Sequence, residues 1–369
     1  MTSLRLTFLG LSITSSWGNG HATTYRALLQ ALHKRGHEVT FLERDVPWYA
    51  ANRDLERPQF CRVRLYRSLR ELRERYTRLV RDSDAVIVGS YVPRGASVGA
   101  WVLRVARGIT AFYDIDTPVT LSRLSCGACL YLRREQIAQY GLYLSFTGGP
   151  LLRRLEREFG SPMARALYCS VDPAIHFPHD AAPRWDLGYL GTYSRDRQVL
   201  LQRLFIEPAR QWRDGAFVLA GPQYPPSIRW PGNVERIDHL PPDEHTEFYT
   251  AQRFTLNATR ADMRKVGYSP SVRLFEAAAC ATPIISDPWP GLSELFTPDQ
   301  EILIAHHPAD VLSALRELPE RKRLAIGRAA RRRVLAEHTA DHRAAELERH
   351  IAHVLDERSR GRAACLTSK

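Results

Sequence analysis

Lysine is nearly missing from this chain of 369 residues: Lys34, Lys265, Lys322 and Lys369 are the only four, and arginine supplies every other cation. The formal charge of +12, from 52 Lys and Arg against 40 Asp and Glu, invites an anionic partner such as nucleic acid, a membrane surface or a phosphorylated small molecule. Arginine used this uniformly reads as compositional bias. The surplus is then mostly solvated surface, with no nucleic acid expected, and the other reading is a basic face for an acidic acceptor or a peripheral membrane contact. Cysteine is sparse as well. Cys61, Cys126, Cys129, Cys169, Cys280 and Cys365 are scattered along the chain, which argues for thiols and against a disulfide framework. No long apolar run is present, since Leu4 to Leu11 is interrupted by Arg5 and Thr7 and lacks the layout of a membrane span or secretion signal. A soluble, cytoplasmic protein is expected.

What is there is ordinary globular material, 44% hydrophobic and 25% charged, long enough for two domains of about 150 to 200 residues. Short β-branched runs alternate with helical patterns from "LRLTFLGL" through "HEVTFLE", "DAVIVGS", "GITAFYDID", "LYLSFTG" and "RALYCSV". This beat predicts an α/β fold with parallel sheets and crossover helices. "VDPAIHFPHDAAPR" has neither helical nor strand periodicity and reads as a linker, after which the beat restarts at "WDLGYLG". The expected organisation is an N-terminal Rossmann-like domain over 1–170, a linker over 171–184, a C-terminal Rossmann-like domain over 185–337, and a helix with a basic tail over 338–369. A long amphipathic helix is expected from about Arg62 to Arg81, because Leu65, Leu69, Leu72, Tyr76, Leu79 and Val80 fall at three- and four-residue spacings. The pair Cys126 and Cys129 has zinc-like spacing but no second pair at a suitable distance. No metal site is expected.

The most informative stretch is "GYSPSVRLFEAAACATPIISD", Gly267 to Asp287. Ser269 followed by Pro270 is a helix start, with serine as cap and proline in the first turn. The amides of Ser271, Val272 and Arg273 then stand free at the positive end of the helix dipole, a place for a phosphate. Ser269, Val272 and Glu276 share a face. Glu276 lies about six rises of 1.5 Å beyond Pro270 and leans back toward the N-terminus. Its carboxylate accepts two hydrogen bonds side by side, as a vicinal diol requires, so pyrophosphate at the tip and a ribose below would make a nucleoside diphosphate site. The alternative is that Glu276 pairs with Arg273 and that Ser-Pro is only a cap.

This segment, with "DLGYLGTYSRDRQ", "LNATRADM", "FYDIDTPVTL" and "LYLSFTGGP", resembles the CgeB-like (spore maturation protein) family of glycosyltransferases of GT-B architecture, over roughly Leu4 to Glu337. The resemblance implies two Rossmann-like domains with a cleft between them and transfer of a sugar from a nucleoside-diphosphate donor held mainly by the C-terminal domain. No other cofactor is implied. Many retaining enzymes of that architecture carry two glutamates spaced by seven residues. Glu276 matches the second, but the position eight before it is Tyr268, so the first is absent.

Other loops supply candidates. Gly18, Asn19, Gly20 and His21, between the first strand and helix, are expected to form a loop on the acceptor side. Gly191, Tyr193, Arg195 and Arg197 form the corresponding loop of the second domain, and either arginine, or Arg260 at a strand end, can neutralise a departing diphosphate. Asp114 and Asp116 end a strand and can orient or deprotonate an acceptor hydroxyl, or Asp116 simply caps the following helix. Backbone near His239 and Leu240 is placed by the architecture to read the base. The leading expectation is a metal-independent glycosyltransferase with an unidentified acceptor. Its rivals are a nucleotide-sugar epimerase and a non-catalytic nucleotide-sugar or polysaccharide-binding protein.

Overall fold

The computed structural model describes residues 3–180 and 182–367, with backbone alone for 361–367. It divides into two units, Met1–Tyr168 with Ala340–Lys369, and Cys169–Thr339. Both are open α/β sheets, as the alternation predicts.

The first unit holds β1 (Arg5–Gly10), β2 (Glu38–Arg44), β3 (Arg62–Tyr66), β4 (Ala85–Gly89), β5 (Ile109–Asp114), β6 (Leu142–Ser145) and β7 (Ala164–Ala166). They pair in the order β3-β2-β1-β4-β5-β6-β7, all parallel. β4 and β5 are buried at every position, as strands covered by helices on both faces must be. The order reverses between β1 and β4, the kind of switch point at which open α/β sheets take ligands beyond the carboxyl ends of their strands.

Two expectations for this unit change. The helix expected over 62–81 is shorter: residues 62–66 form β3, whose exposure alternates with period two, and the helix spans Leu69–Asp82. Ser68 sets its start by accepting the Glu71 amide at 3.1 Å, a capping pattern that also interrupts the helical spacing upstream. The C-terminal helix, Ala340–Thr367, does not stand apart. It packs on the Ala22–Lys34 helix, where the Glu348 carboxylate takes Nε of Arg35 at 2.7 Å, Nη2 of Arg35 at 2.6 Å and Nε2 of His37 at 2.7 Å.

The second unit holds β8 (Trp185–Leu190), β9 (Phe217–Ala220), β10 (Val234–Ile237), β11 (Gln252–Asn257), β12 (Ile284–Ser286) and β13 (Leu303–Ile304), in the order β10-β9-β8-β11-β12-β13. All are parallel, over a core that includes Leu187, Tyr189, Phe205, Phe217, Phe254 and Leu256. Strand order reverses between β8 and β11. Within the stretch expected as a linker, Val171, Asp172 and His176 are buried and Val171 bridges to Thr339, whereas 177–180 and 182–184 are exposed. Among the described residues no helix is long and apolar enough to cross a membrane. The five described cysteines are free thiols, and the Cys365 side chain lies outside the described residues.

Candidate functional site

The carboxyl ends of β8 and β11 meet the start of the Val272–Ala279 helix, and one side chain ties them together. Arg273 is 7% exposed. Its Nε donates to the Leu190 carbonyl at 2.7 Å, Nη1 to Oδ1 of Asn257 at 3.0 Å, and Nη2 to the Tyr189 hydroxyl at 3.4 Å, while its guanidinium stacks 4.5 Å over the Tyr189 ring. Ser271 Oγ donates to the same Asn257 oxygen at 2.8 Å, and Asn257 Nδ2 donates to Ser286 Oγ at 2.9 Å. Gly191 makes room for this arrangement, since a Cβ there would lie 2.7 Å from the Tyr189 hydroxyl and 2.8 Å from Nη2 of Arg273. Its role in the fold is therefore to admit Arg273.

The helix begins two residues later than expected. Its N-cap position is Ser271 rather than Ser269, with no side-chain cap because the Ser271 hydroxyl is committed to Asn257. Ser269 is buried, and the Pro270 carbonyl accepts from the Cys169 thiol at 3.4 Å. The amides of Val272 and Arg273 still precede the first intrahelical bond, so the positive helix end stays at the carboxyl edge of the sheet. Tyr268, at the position of the missing glutamate, takes φ 54, a left-handed conformation costly for a bulky residue. Its amide donates to the Pro290 carbonyl at 2.7 Å.

Glu276 does not pair with Arg273. Its carboxylate is 2% exposed and lies about 6 Å of helix rise beyond Val272, among three aromatic partners: the Tyr249 hydroxyl donates to Oε2 at 3.1 Å, His245 Nδ1 stands 3.6 Å from Oε2, and His176 Nε2 stands 3.8 Å from Oε1. Oε1 has no hydrogen-bond partner. Burial pushes the Glu276 carboxyl up, but the His245 and His176 imidazoles and the Tyr249 hydroxyl more than offset it and hold the carboxyl at about 2. Burial pushes His176 down from its ordinary value, against the pull of Glu276. Glu276 is therefore an ionised acceptor with one oxygen to spare. The two histidines are the residues that sequence reasoning missed. His176 lies in the stretch whose sequence reads as a linker, fixed because Thr246 Oγ1 donates to the neighbouring Ile175 carbonyl at 2.7 Å, and no local pattern signals that encounter.

The expected cationic residues separate. Arg195 is exposed at the start of the Arg195–Leu201 helix. Arg197 turns inward, its Nη1 donating to the Tyr189 hydroxyl and the Thr192 carbonyl, both at 3.1 Å; it braces the loop. Arg260 Nε lies 3.6 Å from Oδ2 of Asp196, an oxygen that also accepts the Ala261 amide at 3.0 Å. Arg260 thus stands beside the Asp196 carboxylate, while Arg195 faces outward. The Tyr193 amide donates to the Pro222 carbonyl at 3.0 Å, and its ring meets Tyr224 edge-on. His239 is exposed beyond β10, and Leu240 is buried.

In the first unit, Asp114 is completely buried and accepts the Tyr143 hydroxyl at 2.6 Å, the Thr120 hydroxyl at 2.9 Å and the Asp116 amide at 3.2 Å. Unlike Glu276, Asp114 has both carboxylate oxygens committed to donors in this arrangement. It positions the segment that carries Asp116. Asp116 sits at the head of the Thr117–Ser125 helix without capping it, and takes the Tyr91 hydroxyl at 2.7 Å instead. Gly18 has φ 60 and Gly20 faces open space, whereas Asn19 is a buried brace whose Nδ2 donates to the Ser12 carbonyl at 3.0 Å. His21 lies at the N-cap of the first helix, edge-on to Phe146.

Burial holds the Asp114 carboxyl up at about 6, against the hydrogen bonds from Tyr143 and Thr120. Between the ordinary aspartate value of about 3.9 and that value, the unfolded chain has lost a proton that the folded chain keeps, so this group's contribution to stability falls as pH rises through the window and is level above it. Asp114→Asn is expected to remove that slope. Urea unfolding of both proteins across this window checks it: the variant should gain on the wild type as pH rises, and a difference independent of pH would contradict the assignment.

Residues 197–349 match the model of a family described as glycosyl transferase-like. Solved structures are similar over nearly the whole chain. Sucrose-phosphate synthase from Thermosynechococcus elongatus is 14% identical, with 96% of this chain and 100% of that one covered at a TM-score of 0.69. Anabaena HepE in complex with UDP and glucose is 12% identical, with 95% and 100% covered at 0.70. An alpha-glucosyltransferase in complex with UDP is 14% identical, with 95% and 100% covered at 0.71. The fold is that of the GT-B glycosyltransferases. No curated protein sequence matches the chain significantly. Within the GT-B frame the Glu276 helix falls inside the region matched by the family model.

Proposed function

We propose that this chain is a cytoplasmic glycosyltransferase of the CgeB-like branch, moving a sugar from a nucleoside-diphosphate donor bound by the second unit to an acceptor hydroxyl. The observation that carries the reading is Glu276: an ionised, buried carboxylate with a free oxygen, one turn below an open helix N-terminus at the carboxyl edge of an α/β sheet. The diphosphate lies at the amides of Val272 and Arg273, and the ribose diol takes the carboxylate. Since Glu276 is sealed, the diol reaches it when His245, the most exposed of its neighbours, swings aside. Arg195 and Arg260 meet the charge that develops on the leaving diphosphate. Asp116 and His21 are the acceptor-side candidates.

The test is release of free nucleoside diphosphate from a panel of nucleotide sugars, with and without candidate acceptors. A transferase releases it and an epimerase does not. Replacing Arg195 or Arg260 by alanine is expected to lower turnover more than donor affinity for the residue that meets developing charge. Absence of both binding and release across the panel would overturn the reading.

A further inference from the structure

Three ligand-type atoms that lack hydrogen bonds face one another inside the second unit. They are Nε2 of His176, Nδ1 of His245 and Oε1 of Glu276, the side chains whose ligand atoms lie within 4.8 Å of one another. Unpaired buried polar atoms are costly, and here they converge instead of scattering. Bonds of about 2.1 Å to a tetrahedral ion place its ligands about 3.4 Å apart; His176 Nε2 stands 3.8 Å from Oε1, while His245 Nδ1 comes to 3.6 Å of the other carboxylate oxygen, Oε2, and with all three ligand atoms within 4.8 Å small movements of the rings and the carboxylate close the set. The supporting contacts are in place too. The Tyr249 hydroxyl fixes the other carboxylate oxygen, and Thr282 Oγ1 donates to the Tyr249 carbonyl at 2.7 Å.

We infer that His176, His245 and Glu276 form a binding site for a divalent transition metal of the zinc class. Two imidazoles and one carboxylate suit zinc, cobalt or nickel and not magnesium or calcium, which take oxygen ligands. A water completes the coordination. The site stands independently of the donor reading. It adds one consequence to it: an ion on Oε1 occupies the acceptor assigned to the ribose, so metal and nucleoside diphosphate exclude one another.

The test titrates the chelator-treated full chain with cobalt(II), without nucleotide, and follows visible absorption, which is intense for four-coordinate cobalt. The wild type is expected to bind one equivalent of cobalt, and excess magnesium is expected not to displace it. Losing a single outer-shell partner of a metal site weakens binding about 10- to 100-fold, the range expected for Tyr249→Phe, and losing an imidazole in His176→Ala or His245→Ala is expected to cost at least about 100-fold. Circular dichroism confirms that each variant is folded, and the wild-type titration alone can sink the idea. A wild type without the absorption band, or histidine variants that keep it, would overturn the site. Failure of nucleotide binding in a protein that still takes cobalt would instead count against the donor reading.

Discussion

Arg273→Ala is expected to destabilise the second unit by about 3 to 5 kcal/mol. The guanidinium is held by the Leu190 carbonyl, the Asn257 amide oxygen and the Tyr189 hydroxyl, and it covers the Tyr189 ring. Alanine leaves buried acceptors without donors, at about 1 to 3 kcal/mol for each that water cannot reach, and opens a cavity against the ring. Part of the cost is relieved because Ser271 Oγ still donates to Asn257, which keeps the total below the simple sum. Lysine is a poor replacement, since a single ammonium cannot reproduce a planar fork that donates in three directions. Urea unfolding at neutral pH measures the effect. A loss below about 1 kcal/mol with an unchanged slope would show that Arg273 does not fasten the helix to β8 and β11. Because that fastening sets where the helix tip points, donor affinity should fall in the same variant even at temperatures where it remains folded.

The parts of this structure legible in the sequence are those fixed by short-range pattern. β4 and β5 are continuous apolar runs, and each sheet follows from alternation of such runs with amphipathic helices. What failed was local competition. Leu65 suits both a helical stripe and the alternation of β3, and only the Ser68–Glu71 cap decides between them. Ser269-Pro270 resembles a helix start, but Asn257 draws the Ser271 hydroxyl away and the helix begins after it. The environment of Glu276 was beyond reach for a different reason. His176 and His245 arrive from segments 100 and 31 positions away in sequence (276 − 176 and 276 − 245), and neither lies in a periodic pattern. A pairing with Arg273, three residues away, was the natural sequence-level alternative. The structure sends Arg273 to the opposite partners because Gly191 leaves it space.

If Glu276 holds the ribose of a nucleoside diphosphate, calorimetric binding of ribo- and 2′,3′-dideoxyribonucleoside diphosphates to the metal-free wild type and to Glu276→Gln must reveal it. Glutamine keeps the side-chain volume and one acceptor oxygen, which can still take the Tyr249 hydroxyl, but it loses the charge and the second acceptor. A carboxyl held at about 2, below the ordinary glutamate value of about 4.3, contributes stability that is present at neutral pH and is lost as pH falls through its folded value. The variant gives up that contribution, so both proteins must be compared where circular dichroism shows them folded. Hydrogen bonds to a charged group are worth about 1.5 to 3 kcal/mol, which corresponds to about 10- to 150-fold in affinity. The wild type is expected to prefer the ribonucleotide by a factor in that range, and Glu276→Gln to lose most of the preference while binding the dideoxy nucleotide as before. A wild type that binds both nucleotides equally would contradict it.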